Sequence, residues 1–493
     1  MNSIINEDYK HSDYDVLIYR KYDKHSTDLV DLKSCQCLNN ILGKIKPGSL
    51  IACIFNLSIF SLGVGLLALP QQVVYISLFM TPILIIMGGV INYWTLTILG
   101  NASRKYKLTK YENAVEFLFN KNFSYFFSFV MCINKLGRIV ILQMISYKFF
   151  GAALNKFFSL GYENMENFAK KSFWGRKKIK IIVCYLITFT IVFPLCLIKT
   201  ISKMRYSSAI GVIALFLMIL IILIQFPSFY YHNIHQRRHN INFLNLKYGF
   251  DKNMHFFQAV SNIIYTFECH AGLFPVLSSM HAPTKKRVKK VIKNSILINV
   301  TSCIIIALSG YLSQPFDTPE LIIDRHTIFK HDFLIATGYL FFICTLVTKI
   351  GANYNGFRIT ILNLLNYDIV NYPDFINIII TSITLFFTTF IAAYFRHKIF
   401  DYFNIIGTFC SIIVGVIIPG MIYIKGNNHY IFHYKNILVI IFILVVSLIG
   451  LITIYCTVKK IYNIRKMLYF YKLLKHLKKK NYFELIFLFI KLK

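Results

Sequence analysis

Apolar residues along this chain come in long unbroken blocks, separated by short polar or basic stretches, from about residue 49 to residue 457. A helix needs roughly 20 apolar residues to cross the hydrocarbon core of a bilayer. Residues 47–103 hold no Asp, Glu, Lys or Arg at all, which is room for two such spans. The blocks predict membrane helices near 49–70, 78–100, 124–147, 181–198, 207–227, 255–275, 294–314, 333–353, 375–395, 402–424 and 436–457, eleven in all. Residues 1–46 are polar and lack the apolar core and small-residue cleavage site of a signal peptide, so they read as an N-terminal cytoplasmic segment, with the first span acting as its own insertion signal. Residues 458–493 alternate basic with apolar and aromatic residues, the pattern of an amphipathic helix lying on a membrane surface. The expected fold class is an all-α integral membrane protein whose transmembrane domain covers 47–457.

Composition agrees: 56% of residues are hydrophobic and only 15% charged, too few to cover a water-soluble surface. The net charge of +33 invites a nucleic-acid role, but Lys and Arg cluster in the loops and tails beside apolar spans, where they orient helices and bind anionic headgroups. The reading is therefore a lipid partner and no nucleic acid. Arg104-Lys105, Lys199 to Arg205 and Lys285 to Lys290 fall on one side, which places the N-terminus in the cytoplasm; Arg176 to Lys180 and the tail beyond Lys459 fall on the other and resist that orientation. Most of the eleven cysteines lie within spans, and Cys35-Gln-Cys37 has no second pair, so packing is expected and neither metal nor cofactor. Tyr14-Asp-Val-Leu17 has the form of a sorting signal, a form that arises often by chance.

Two segments carry chemistry. Tyr265 to Met280 places Glu268, Cys269, His270, Gly272 and Pro275 in an apolar run. Ionisable groups at bilayer depth mark functional sites, and Gly and Pro beside them point to a broken helix. In the first span Gly63 and Gly65 each lower helix propensity by about 1 kcal/mol relative to Ala, and Pro70 removes a backbone donor. A break near Gly63 would aim the positive end of a half-helix at an anion; close packing of small residues is the alternative. In the third span Lys135 and Arg138 share a helix face, and pairing with Glu268, a bias toward acidic substrates and a structural role all stay open. Beyond Glu268 and His270 there is no pairing of nucleophile with base, so an enzyme is not expected, and the spans lack the continuous polar stripe of a channel.

Phe55 to Pro70, with its Gly-x-Gly-x-Leu-x-Leu-Pro-like run, resembles the first-helix signature of the amino acid/auxin permease family. Glu268 to Pro275 resembles that family's sixth helix, nearest the sodium-coupled neutral and vacuolar amino acid transporter branches. Pro194 to Leu197 with Arg205 to Ser208, Asn355 to Arg358, and Ile405 to Ser411 with Pro419-Gly420 are similar to the family's later motifs, in the same order. The resemblance implies an inverted-repeat (5+5) fold of the amino acid/polyamine/organocation type, with repeat one at about 49–227, repeat two at about 255–424 and an eleventh helix at about 436–457. It implies a secondary transporter of amino acids, neutral ones, working by alternating access. The substrate carboxylate would meet the amides of Gly63, Val64 and Gly65, and its ammonium the carbonyls near Phe60, Ser61, Phe267 and Glu268. Two departures bear on coupling: Ile59 stands where the sodium-coupled branch commonly has Asn, and Thr348-Lys349-Ile350 puts a lysine beside the expected sodium position. Sodium-independent transport follows, with Glu268, His270 and Lys349 as coupling candidates and protons as the alternative ion. A non-transporting sensor with the same cavity is the alternative to the transporter; a plasma membrane and a vacuolar or lysosome-like membrane both stay open, as does the oligomeric state.

Overall fold

The computed structural model describes residues 46, 48–108, 110–157, 177–199, 203–236, 255–315, 318–322, 333–365, 372–394, 399–426 and 433–477. The Tyr14–Leu17 motif, Cys35-Gln-Cys37 and the tail from residue 478 lie outside them, as do Arg176 and the side chains of residues 177–180.

Among the described residues every element is helical. In chain order they are α1 Leu50–Ser61, α2 Val64–Tyr75, α3 Met80–Lys105, α4 Tyr111–Leu118, α5 Lys121–Phe157, α6 Lys177–Ile187, α7 Phe193–Cys196 and α8 Arg205–Gln236. There follow α9 His255–Thr266, α10 His270–Ser278, α11 Lys285–Ser313, α12 Phe333–Leu364, α13 Asp374–Tyr394, α14 Ile399–Ile412, α15 Ile418–Gly426 and α16 Tyr434–Leu477. Wide π turns at Thr188–Val192 and Ile413–Ile417 join α6 to α7 and α14 to α15.

This is a multi-pass membrane protein. Among the described residues eight helices are long and apolar enough to span a bilayer, and nine once the bent pair α1–α2 is counted as one. The expected spans at 181–198 and 255–275 are helical but interrupted, the first by a π turn and Pro194, the second by irregular backbone at Phe267–Cys269. The last helix runs on past the boundary drawn at 457, because no Gly or Pro follows Gly450 to stop it.

α12 is the central column, buried almost continuously from Thr345 to Arg358. It packs on α5 and α8, while α11 lies along α1, α2 and α3. α13 and α16 turn Phe386, Phe390, Leu444 and Leu448 outward, as lipid-facing helices do. Small residues permit the close approaches: a Cβ on Gly310 of α11 would lie 2.4 Å from Pro70 of α2.

Two of the motifs noted in the sequence meet beside α7. The Arg358 guanidinium, 1% exposed, donates to the carbonyls of Cys196 (2.8 Å) and Ile198 (2.6 Å) and to Asn377 Oδ1 (3.0 Å). Asn355 Nδ2 donates to the carbonyls of Ile198 and Lys199 at 3.1 Å. The last carbonyls of a helix have no intrahelical donor and carry partial negative charge. Arg358 and Asn355 supply the donors, which fastens the end of α7 to α12 and α13.

Candidate functional site

The chain breaks inside two neighbouring helices at one level. α1 ends at Ser61, Leu62 is extended, and α2 begins at Val64, the pair being bent by 54°. α9 ends at Thr266, and α10 begins at His270. The ends touch, since Ser61 Oγ donates to the Thr266 carbonyl at 3.2 Å and a Cβ on Gly65 would come within 2.4 Å of Thr266 Oγ1. Gly65 therefore lets the second break close on the first. The amides that open α2, of Val64 and Gly65, have no acceptor inside their own helix.

A lysine fills the first break. Lys349 of α12 is buried, and its Nζ donates to the carbonyls of Ser61 and Leu62, both at 2.8 Å. A cation at the C-terminal end of a helix meets the negative end of the dipole. Gly63 makes room for it, because a Cβ there would stand 2.6 Å from Lys349 Nζ. The neighbouring hydroxyl of Thr348 is committed to the Thr345 carbonyl at 2.8 Å.

Glu268, in the second break, forms an ion pair with Arg138 of α5. Arg138 Nε also donates to Asn134 Oδ1 (3.2 Å), and its guanidinium lies 5.2 Å from the Tyr265 ring centre, a cation–π contact. Pairing with Glu268 was one of three roles open for Arg138 in the sequence. Lys135, one turn away on α5, points elsewhere: Nζ donates to the Gly356 carbonyl (3.0 Å) and Thr360 Oγ1 (2.7 Å) and lies 4.0 Å from Glu112 of α4.

A cavity of about 30 Å³ sits between the breaks, faced by Ser61, Gly65, Arg138, Tyr265, Glu268 and Lys349. At roughly 10–15 Å³ per water it has room for two waters, so an amino acid enters only when the walls part. A second cavity of about 10 Å³ lies beyond, with Phe60, Lys135 and Gly272 in its wall; Arg138 lines both. Of the residues named from the sequence, the structure gathers Ser61, Gly65, Glu268 and Lys349 around the first cavity and places Gly63 against Lys349. Phe60 lines the second cavity, and Phe267 packs into the core beside Gly88. His270 lies in neither wall: its Nε2 is 2.8 Å from Thr95 Oγ1, and its ring adjoins Gly415.

Sequence reasoning missed Tyr265 as a wall residue and missed α4 with its acid. Glu112 accepts from Thr360 Oγ1 at 2.6 Å, Tyr111 donates to the Val414 carbonyl at 2.6 Å, and Lys425 donates to the carbonyls of Phe117 (2.6 Å) and Leu118 (2.9 Å). α4 thereby ties α12 to the helix built from α14 and α15. The available signal was Tyr111, Ala114, Val115 and Leu118 at the spacing of an amphipathic helix, with Glu112 and Glu116 between them.

Gly272 tests the packing of this region, because a Cβ there would lie 2.5 Å from the Phe60 ring. Gly272→Ala is expected to destabilise the protein by about 1–3 kcal/mol through overpacking. A Cβ on Gly151, inside α5, meets nothing within 4 Å, so Gly151→Ala should raise stability by up to about 1 kcal/mol through helix propensity. Melting temperatures of the two purified variants in one detergent check both.

The sequence family described as "Transmembrane amino acid transporter protein" matches residues 46–459. Among curated relatives, "Putative amino acid transporter AAT1" of Plasmodium berghei (strain Anka) is 23% identical over 439 residues, covering 79% of this chain and 68% of the relative. "Amino acid transporter AVT6B" of Arabidopsis thaliana is 22% identical over 433 residues, covering 83% and 90% respectively. "Vacuolar amino acid transporter 7" of Saccharomyces cerevisiae is 26% identical over 256 residues, 51% of this chain and 46% of that protein.

Proposed function

The chain belongs to the transmembrane amino acid transporter family, and from that premise we propose that it carries neutral amino acids by alternating access without using sodium. The observation that carries the sodium-independent reading is the Lys349 ammonium, 2.8 Å from each of the Ser61 and Leu62 carbonyls. Carbonyls freed at a broken helix are ligands for an alkali cation; here a resident cation already holds them, and a second positive charge in the same place is repelled.

In this reading the helices form two inverted repeats around the paired breaks, and the substrate lies between α1–α2 and α9–α10. Its carboxylate meets the amides of Gly63, Val64 and Gly65 at the positive end of α2. Because Ser61 and Leu62 hold Lys349, the substrate ammonium falls to the carbonyls of Phe60, Phe267 and Glu268. Glu268 is the proton carrier in this reading, and it takes up a proton in a state where Arg138 has moved off it. His270, hydrogen-bonded within range of Thr95, supports the second break. The yeast relative is named for the vacuole, and the membrane of an acidic organelle is the location we adopt.

Uptake of labelled amino acids into proteoliposomes, with sodium present or replaced by choline and with or without an acid-outside gradient, tests the proposal. The expected result is neutral amino acid movement that is unchanged by sodium and increased by the proton gradient. Sodium-driven uptake would overturn the role given to Lys349. Binding without movement would replace the transporter with a sensor built on the same cavity.

A further inference from the structure

The walls of the central cavity carry two cationic heads, Arg138 and Lys349, and a single carboxylate, Glu268, which is already the partner of Arg138. Glu112, 4.0 Å from Lys135 in the wall of the second cavity, is occupied by that lysine and by Thr360. All six side chains are buried or nearly so. We infer that the cavity sorts substrates by charge and refuses cationic amino acids, with Arg138 as the specificity-determining residue. The inference rests on the transporter reading of the same cavity and adds to it the residue that enforces the substrate class.

A zwitterion with an uncharged side chain brings no net charge and needs no partner beyond the helix breaks. Lysine or arginine brings an extra cation into a space that already holds two. Among the described residues the carboxylate facing that space is Glu268, and taking it would strand the buried Arg138 guanidinium without a counter-charge, which is strongly unfavourable. Refusal thus comes from a repulsive element built into the wall rather than from a missing contact. The position of Arg138 sharpens the effect, because among the residues lining the two cavities it alone lines both. Anything passing from one to the other must pass its charge.

Initial rates in proteoliposomes of the full chain, for a panel of neutral amino acids with lysine, arginine and glutamate, decide the matter. In the wild type the best neutral substrate should move at least about tenfold faster than lysine or arginine, tenfold being 1.4 kcal/mol of discrimination. Arg138→Gln frees Glu268, and the lysine-to-neutral ratio should rise at least about tenfold. Glu268→Gln frees Arg138 instead, so the glutamate-to-neutral ratio should rise while lysine stays excluded. Ratios within one preparation cancel a general loss of activity, and size-exclusion profiles identify a variant that has not folded; either variant alone then decides. Wild-type movement of lysine as fast as the best neutral amino acid, or ratios unchanged in a folded variant, would overturn the charge filter while leaving the transporter reading standing. Movement of no amino acid at all would sink the transporter reading and the filter with it.

Discussion

Lys349→Ala is expected to reduce transport by about two orders of magnitude and to lower the melting temperature as well. The substitution removes the donor shared by the Ser61 and Leu62 carbonyls, which end α1 in a buried setting. A buried polar group left without a partner costs roughly 1–3 kcal/mol, and two carbonyls are affected. Loss of about 2.7 kcal/mol from the transport-competent geometry corresponds to a hundredfold in rate, at 1.36 kcal/mol per decade. Lys349→Gln keeps a neutral donor and should fall between alanine and wild type. Lys349→Arg should not recover the wild type, because Gly63 already stands so close to the lysine stem that its added Cβ would lie 2.9 Å from Cδ. Uptake rates and thermal melts on the three variants measure this series; wild-type rates in Lys349→Ala would end the role assigned to the ammonium.

The largest loss of stability is expected from Arg358→Leu. Three charged hydrogen bonds disappear, to Cys196, Ile198 and Asn377. Such bonds are worth about 1.5–3 kcal/mol each, against a typical folding stability of about 5–15 kcal/mol. The end of α7 would be left with the neutral bonds from Asn355 and from Asn377 Nδ2 to the Leu197 carbonyl (3.0 Å), and the protein should fail to accumulate as a monodisperse species. Arg358→Lys keeps the charge but not the planar fork that serves several acceptors at once, so partial recovery is the expected outcome. Fluorescence-detected size-exclusion profiles of the two variants beside wild type provide the check. A normal profile for Arg358→Leu would show that Asn355, which bonds the Ile198 and Lys199 carbonyls, and Asn377, whose Nδ2 donates to the Leu197 carbonyl, hold the junction without it.

What could be read from the chain beforehand divides along a physical line. Breaks at Gly63 and at Phe267–Cys269 were legible because they are local: glycine, proline and misplaced polar groups sit within a few residues of the fault they cause. Lys349 was legible as an oddity, a cation in an apolar span. Its partners were not, since the carbonyls it holds are 288 and 287 residues away in sequence. His270 and Thr95 lie 175 residues apart, so the hydroxyl neighbour that the imidazole has outside both cavity walls was equally out of reach. The amphipathic helix α4 left no length signal, being only 8 residues long, and Glu112 went unnoticed with it. Interruptions in the fourth and tenth blocks were invisible to hydropathy, which averages across a π turn as readily as across a regular one.

A cation that is covalently part of the carrier never reaches the other side. Lys349 can neutralise the carbonyls at the break through every stage of a cycle, yet it performs no osmotic work, because it is not delivered down any gradient. A sodium ion in that position would couple the substrate to the sodium gradient and make each cycle move charge through the membrane voltage. With the lysine in place, a zwitterion crosses without net charge, and voltage alone neither concentrates nor expels it. Unless a proton travels with the substrate, such a carrier can only equalise amino acid concentrations across its membrane, in either direction.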